Sequence, residues 1–387
     1  MISIIKKNIL RTLFIIFRIF PIKNNKIVVC NYYGKGYGDN AKYIVNYLLE
    51  NSKNKYEIIW LLNNINDELP SGVKGVKYKS IKSFYDLATA KIWIDNCRKH
   101  DYILKRKNQF YIQTWHSSIR LKKIEKDAIQ YLPDDYIKNA ISDSNRMDIL
   151  TVGCEYSDKV YDRVFWYNGK RLNCGTPRFD VFFNNSEKKK IELKVRKFYK
   201  ISKDKKIILY APTFQKKLKE ANLDYNNLIA NLNENSKNNY EYIALVRLHP
   251  VSKNKVNESK FVIDATNYPD IQELIIACDY FITDYSGCCF DAMYANKKCM
   301  LYIPDYDNYI SLERELEMDI MDLPFPKIYN EIDLIEKFKN FNEKEYTDNI
   351  NRFLKKIGTY ENGTACEQIC ALINDVVNGD DVNYEKI

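Results

Sequence analysis

The chain contains three histidines, and two of them stand where an α/β fold puts its chemistry. His116 closes the stretch Gln113-Thr114-Trp115-His116, and His249 closes Arg247-Leu248-His249. Each comes just past an apolar run that reads as a strand. A neutral imidazole near pH 7 suits proton abstraction, and its protonated form suits a phosphate. The third, His100, lies in a Lys/Arg-rich stretch and reads as exposed.

A second group of residues reads as an anion site. Tyr280-Phe281-Ile282-Thr283 is an apolar strand followed by Asp284-Tyr285-Ser286-Gly287 and then by a helix from about Cys288 that carries Asp291. Small and hydroxyl residues between a strand and a helix start leave backbone N–H groups for a pyrophosphate. Ser286 would equally serve as a plain helix cap. Gly175-Thr176-Pro177-Arg178-Phe179-Asp180 is a turn in which Arg178 could clasp a phosphate with both guanidinium arms. Asp180 could instead lock Arg178 in a structural pair. Thr213, at the end of Tyr210-Ala211-Pro212-Thr213, is a candidate phosphate or ribose ligand. The loop Gly34-Lys35-Gly36-Tyr37-Gly38 has neither the dinucleotide nor the P-loop spacing, which argues against nicotinamide and P-loop chemistry.

These residues need a scaffold that brings strand ends together. Apolar runs at 26–31, 56–62, 91–96, 110–114 and 171–175 read as strands, with a helix over 40–50. A second series follows at 206–210, 242–247, 261–264, 280–283 and 298–303. Strands alternating with helices predict parallel, doubly wound sheets with ligands at the strand C-termini. The expected division is 1–22 as an amphipathic segment, 23–182 as one Rossmann-like domain and 183–387 as a second. Residues 186–206 open the second half, and the polar stretch 222–239 reads as peripheral.

Net charge is +9, and six basic residues with no acid fall in the first 26 positions. The remainder is close to balanced, which argues against a nucleic-acid-binding body. Residues 1–20 hold no uninterrupted apolar run long enough to span a bilayer. At helical spacing Lys7, Arg11 and Arg18 share one stripe, with Ile5, Ile9, Ile16 and Phe20 opposite, predicting an in-plane helix on anionic lipid. The ten cysteines lack zinc-site spacing and read as reduced, mostly buried thiols.

Taken in order, these segments resemble the CDP-glycerol glycerophosphotransferases: the teichoic-acid primases and polymerases and their capsule relatives. Trp115-His116 is similar to the family's Trp-His-Gly motif. Residues 175–180 resemble its Gly-x-Pro-Arg-x-Asp, 208–213 its Leu-Tyr-x-Pro-Thr, and 247–250 its Arg-x-His-Pro. Residues 270–291 are similar to its donor-binding signature, which Arg314 and Leu323-Pro324 continue. Ser117 replaces the family's Gly after Trp-His, Ser118-Ile119 its Thr-Pro, and Gly287 its second Ser. The resemblance spans roughly 26–375.

The resemblance implies a GT-B-like fold of two facing Rossmann-like domains, with no metal and no cofactor. It implies transfer of a glycerol or ribitol phosphate from a CDP-activated donor to a lipid-linked polymer at the cytoplasmic face of the membrane, with release of CMP. His116 would be the base. His249, Arg247, Arg314 and the amides after Thr283 would stabilise charge on the diphosphate. A nucleotide-sugar glycosyltransferase of the same fold is the alternative reading, and a non-enzymatic membrane-bound binding protein a more distant one. The donor that is turned over separates them.

Overall fold

The computed structural model describes residues 2–52, 55–117, 119–214, 223–235, 240–249, 251–252, 254–312 and 315–380. The chain forms two compact units, one of residues 1–118, 124–180 and 359–387, the other of 119–123 and 181–358.

The first unit is built on seven strands: β1 (Lys23–Cys30), β2 (Glu57–Leu62), β3 (Val73–Lys77), β4 (Ala90–Asp95), β5 (Phe110–Gln113), β6 (Ile149–Thr151) and β7 (Lys170–Leu172). Their order is β3-β2-β1-β4-β5-β6-β7, parallel throughout. The apolar runs are continuous because both faces are covered. Val28, Cys30, Ile59 and Leu61 feed one core, while Ile27, Val29, Ile58, Trp60 and Leu62 feed the other. Strand order reverses between β1 and β4, so the loops after their C-termini border the crevice where open α/β sheets hold ligands. The sequence reading missed β3 and β6. The first is an edge strand with alternating lysines and the second has three residues, both too short or too polar for an apolar run.

The N-terminal helix, Ile2–Phe17, is part of this unit rather than a detached segment. Phe14 is fully buried, and Leu10 and Phe17 pack beside it. Phe14 meets Phe84 edge-on at 6.5 Å, and Phe17 meets Tyr85 at 5.9 Å. Lys7 forms an ion pair with Asp101 at the surface, its side chain 47% exposed. Lys26, counted with the N-terminal cations, is buried against Asp86 at 2.5 Å and Thr89 at 3.1 Å. The opposite side of the helix leaves Ile5, Ile9 and Ile16 about half exposed. Among the described residues no helix is long and apolar enough to cross a membrane.

The expected boundary at 182/183 holds only in part. The last helix, Ala365–Asn378, returns to the first unit because Ala365, Cys366, Ile369, Cys370 and Ile373 complete its core. Residues 119–123 pair with the second unit, where the Lys123 amide donates to Glu315 and the Glu317 amide to Leu121.

The second unit carries β8 (Lys206–Tyr210), β9 (Tyr242–Val246), β10 (Val262–Asp264), β11 (Tyr280–Thr283), β12 (Lys298–Tyr302) and β13 (Lys327–Ile328). They run parallel in the order β10-β9-β8-β11-β12-β13, with the reversal between β8 and β11. The stretch read as peripheral contains the helix Tyr225–Glu234, which buries Leu228, Ile229 and Leu232 against the sheet. Its i, i+1, i+4 apolar spacing was masked by surrounding asparagines. Nine of the ten cysteines are buried, and Cys288 is half-buried.

Candidate active site

In the first unit the loops after β1, β4 and β5 close around one imidazole. Asn96 follows β4 and His116 lies three residues past β5. His116 Nδ1 is 2.9 Å from the Asn96 carbonyl oxygen. A carbonyl only accepts, so Nδ1 carries the proton and Nε2 keeps its lone pair, as a general base requires. The Asn96 side chain is held at both ends: its Oδ1 accepts from the Tyr32 amide at 2.9 Å, and its Nδ2 donates to Asn31 Oδ1 at 2.8 Å. The His116 ring stacks on Trp115 with centroids 4.6 Å apart and leans on Tyr32 at 5.5 Å.

Backbone strain is concentrated in these same loops. Tyr32, Tyr33, Asp39 and Trp115 have φ of 40°, 58°, 53° and 51°, left-handed values that cost L residues about 1–3 kcal/mol each. Surrounding bonds over-determine them. The Trp115 amide donates to Gln113 Oε1 at 2.9 Å, its carbonyl accepts from Asn40 Nδ2 at 3.0 Å, and Tyr32 Oη reaches Asp39 Oδ2 at 3.1 Å.

Behind Trp115 lies a buried ionic cluster. Arg98 is 2% exposed, and its guanidinium lies 5.3 Å from the Trp115 ring and 4.8 Å from that of Phe165. It donates to Glu125 at 2.8 Å and to Ser144 at 3.0 Å, with Asp143 at 3.6 Å. Burial pushes the Asp143 carboxyl up, against the opposing pull of Arg146 and Arg98. Sequence reasoning missed Asn31, Asn96, Arg98 and Asp39; their one signal was position directly after, or just beyond, a strand. His100 is half-buried and stacked on Tyr102 at 5.0 Å, and burial lowers its pKa to about 4, which corrects its reading as exposed.

The 175–180 turn is a fastening. Gly175 has φ of +91°, and a Cβ there would come within 2.8 Å of Glu361 Oε2. Glu361 accepts from the Thr176 amide at 2.8 Å and its hydroxyl at 2.6 Å. Asp180 accepts from the Ala365 and Cys366 amides at 3.1 and 2.6 Å, capping the last helix. It therefore does not lock Arg178. Arg178 is 4% exposed, with Nη1 3.9 Å from Asp39 and 3.5 Å from Asn40 Oδ1. The structure thus places it in the first unit, tied to the loop after β1.

In the second unit the ends of β8, β9 and β11 supply the predicted donor residues. Thr213, past β8, donates to Asp284, past β11, from its amide at 2.9 and 3.0 Å and from its hydroxyl at 2.5 Å. Asp284 is buried, and desolvation raises its pKa to about 6 in spite of these bonds. His249, past β9, is exposed and packs on Phe214 at 5.9 Å. Its Nδ1 accepts the Val251 amide at 3.3 Å, which leaves the neutral ring's proton on Nε2. His249 is thus set as a donor where His116 is set as an acceptor. Arg247 Nη1 is buried without a hydrogen-bond partner among the described residues; burial lowers its pKa, against the pull of Cys288 and Asp270 nearby. Ser286 Oγ accepts the Cys288 amide at 3.3 Å, and Gly287 begins the helix Cys288–Tyr294.

Other predicted ligands are committed to the fold. Thr283 donates its hydroxyl to the Ala211 carbonyl at 2.7 Å. Tyr285 donates to Asp305 at 3.0 Å and stacks on Tyr309. Asp291 accepts from Gln272 at 2.7 Å. These three side chains are thus bonded within the second unit. Arg314 lies outside the described residues. Among the described residues no three His, Cys, Asp or Glu side chains are grouped to hold a metal ion.

Residues 12–375 match the family described as CDP-glycerol:poly(glycerophosphate) glycerophosphotransferase. This chain belongs to that family. It is a transferase by that membership. It is 31% identical over 376 residues to a teichoic acid poly(glycerol phosphate) polymerase of Bacillus spizizenii, covering 92% of this chain and 94% of that one. It is 31% identical to the polymerase of the same description from Staphylococcus epidermidis over 91% of its own length. It spans only 51% of that relative, about half. A structure of the wall teichoic acid polymerase TagF superposes with a TM-score of 0.86 at 30% identity, covering 98% of this chain and 96% of that chain. The two parallel α/β sheets are thus those of a solved relative.

Proposed function

We propose that this protein transfers glycerol phosphate, or a related polyol phosphate such as ribitol phosphate, from a CDP-activated donor to a hydroxyl of a lipid-linked cell-surface polymer. The observation that carries this reading is the His116 Nδ1 contact with the Asn96 carbonyl at 2.9 Å, which leaves a basic Nε2 in a member of this family. The acceptor hydroxyl gives its proton to Nε2 as its oxygen bonds to the phosphorus bearing the polyol. The bond from that phosphorus to the anhydride oxygen breaks, and CMP leaves with the electron pair. His249 Nε2–H, Arg247 and the amides around Ser286 and Gly287 offset charge on the diphosphate, an electrostatic role. Arg314 is assigned to the same group by its motif. Thr213 and Asp284 set the loops that shape this site, and Arg178 holds the loop after β1. No metal or cofactor is invoked, the CDP-polyol being a substrate.

The two doubly wound units support a GT-B-like reading of the fold. We place the protein at the membrane surface, on its cytoplasmic side, through the exposed Ile5, Ile9 and Ile16 face with Arg11 and Arg18 toward anionic lipid. The test is incubation of the purified chain with CDP-glycerol or CDP-ribitol and a lipid-linked acceptor, measuring released CMP. Acceptor-dependent CMP from either donor is expected. Release from a nucleotide sugar alone would refute the reading.

A further inference from the structure

A cavity of about 360 Å³ opens on the flank of the second unit, with Leu323 and Pro324 among the residues that line it. It lies beside β13, the edge strand, two places along the sheet from β11, and is walled by the helices Glu331–Lys339 and Glu343–Ile357. Its volume suits a small organic anion.

Its charge is one-sided. Lys327, Lys337, Arg352 and Lys356 line it against Asp322 and Glu345. The lysine of β13 is half-buried and bonds to the Met321 and Leu323 carbonyls; Asp322 and Asp319 lie near it, but it forms no ion pair with either among the described residues. Burial holds its ammonium below its ordinary pKa, against the opposing pull of Asp322 and Asp319. Lys337 has no ion pair among the described residues, and Arg352 bonds only to Asn349. Lys356 reaches Asp322 at 3.7 Å, both largely exposed, a contact worth little. Like charges gathered round a concavity repel one another, and a bound anion relieves that repulsion. Phe325 and Phe353 form a buried apolar floor, and Tyr346, whose hydroxyl bonds to the Lys297 carbonyl, closes one end.

We infer that this cavity is a second binding site for phosphate esters, separate from the transfer site. Two sources fit that chemistry: a segment of polyol-phosphate chain and a mononucleotide. Choosing them as probes rests on the transferase reading above.

The test uses the full chain carrying Arg247→Ala, which disables the donor site, and equilibrium dialysis at low salt. The probes are a synthetic hexa(glycerol phosphate) and CMP. At least one probe should bind, and adding K337E with R352E should weaken it about tenfold, while K337R with R352K restores it. Binding of the oligomer alone marks the site as a chain-holding groove; binding of CMP marks it as a nucleotide site, and either result supports the inference. Unchanged binding in the charge-reversed chain, or no binding of either probe before reversal, overturns it. K337E with R352E in the chain with Arg247 intact should keep turnover on a short acceptor. If that parent chain releases no CMP from any CDP-polyol yet the cavity binds, the transferase reading fails and the site stands.

Discussion

Asp284 offers a prediction whose size follows from its surroundings. Its carboxyl is buried at the end of β11, and desolvation lifts its pKa from 3.8 to about 6. At about 1.4 kcal/mol per pH unit, keeping it ionised in the folded chain costs roughly 3 kcal/mol. The sign follows from linkage. A carboxyl whose folded pKa is raised binds its proton more tightly when folded, so its stabilising share is present below pH 3.8. That share is lost as pH climbs through the window to about 6, and the full cost persists above it. Asp284→Asn cannot ionise and keeps one acceptor for Thr213. Relative to the wild type it should therefore gain up to roughly 3 kcal/mol between pH 4 and pH 7. Tryptophan fluorescence is the wrong probe, since Trp60, Trp93, Trp115 and Trp166 all lie in the first unit. Hydrogen exchange of the β8 and β11 amides, corrected for intrinsic rates, reports on the correct sheet. Thr213→Val removes the 2.5 Å hydroxyl bond and should move the window upward by about one pH unit. A wild-type-to-Asn difference that stays flat from pH 4 to 7 would refute the burial argument.

Three further outcomes are expected. His116→Ala should lower turnover about 10²–10⁴-fold with donor affinity little changed, and a loss under tenfold in a folded variant removes His116 as the base. Arg98→Met removes the buried cation shared by Glu125 and Asp143, leaving them only Tyr136 and Arg146, and should cost about 3–5 kcal/mol in chemical denaturation; a smaller loss means those partners, water or protons compensate. Ile9→Glu with Ile16→Glu should abolish binding to anionic vesicles without unfolding the chain, whereas Phe14→Ala, at a fully buried site, should cost about 3–5 kcal/mol. Vesicle binding that survives the double substitution refutes the membrane face.

Local chemistry made much of this protein legible from its sequence. Strands β8 and β11 are apolar runs bounded by charge and turn residues, and both fall where periodicity puts them, because a strand buried on both faces has no polar position to blur it. The two strand-end histidines and the ordered motifs were likewise readable, since a residue's place after a strand is a property of the chain. Which atoms those residues touch was not. Thr283 has the right type for a diphosphate site, yet the buried Ala211 carbonyl claims its hydroxyl. Asp180 stands two residues from Arg178, and its carboxylate caps a helix 185 residues downstream. Lys7 and Lys26 count equally as cations in the sequence, but one pairs with Asp101 at the surface and the other is sealed against Asp86. Opposite tautomers for His116 and His249 follow from a carbonyl at one ring and an amide at the other. Sequence determines periodicity, residue type and order, because these act over a few bonds. Partner choice, protonation and the return of the last helix to the first unit are decided by folding, because a buried polar group must take its partner from whatever the chain brings beside it.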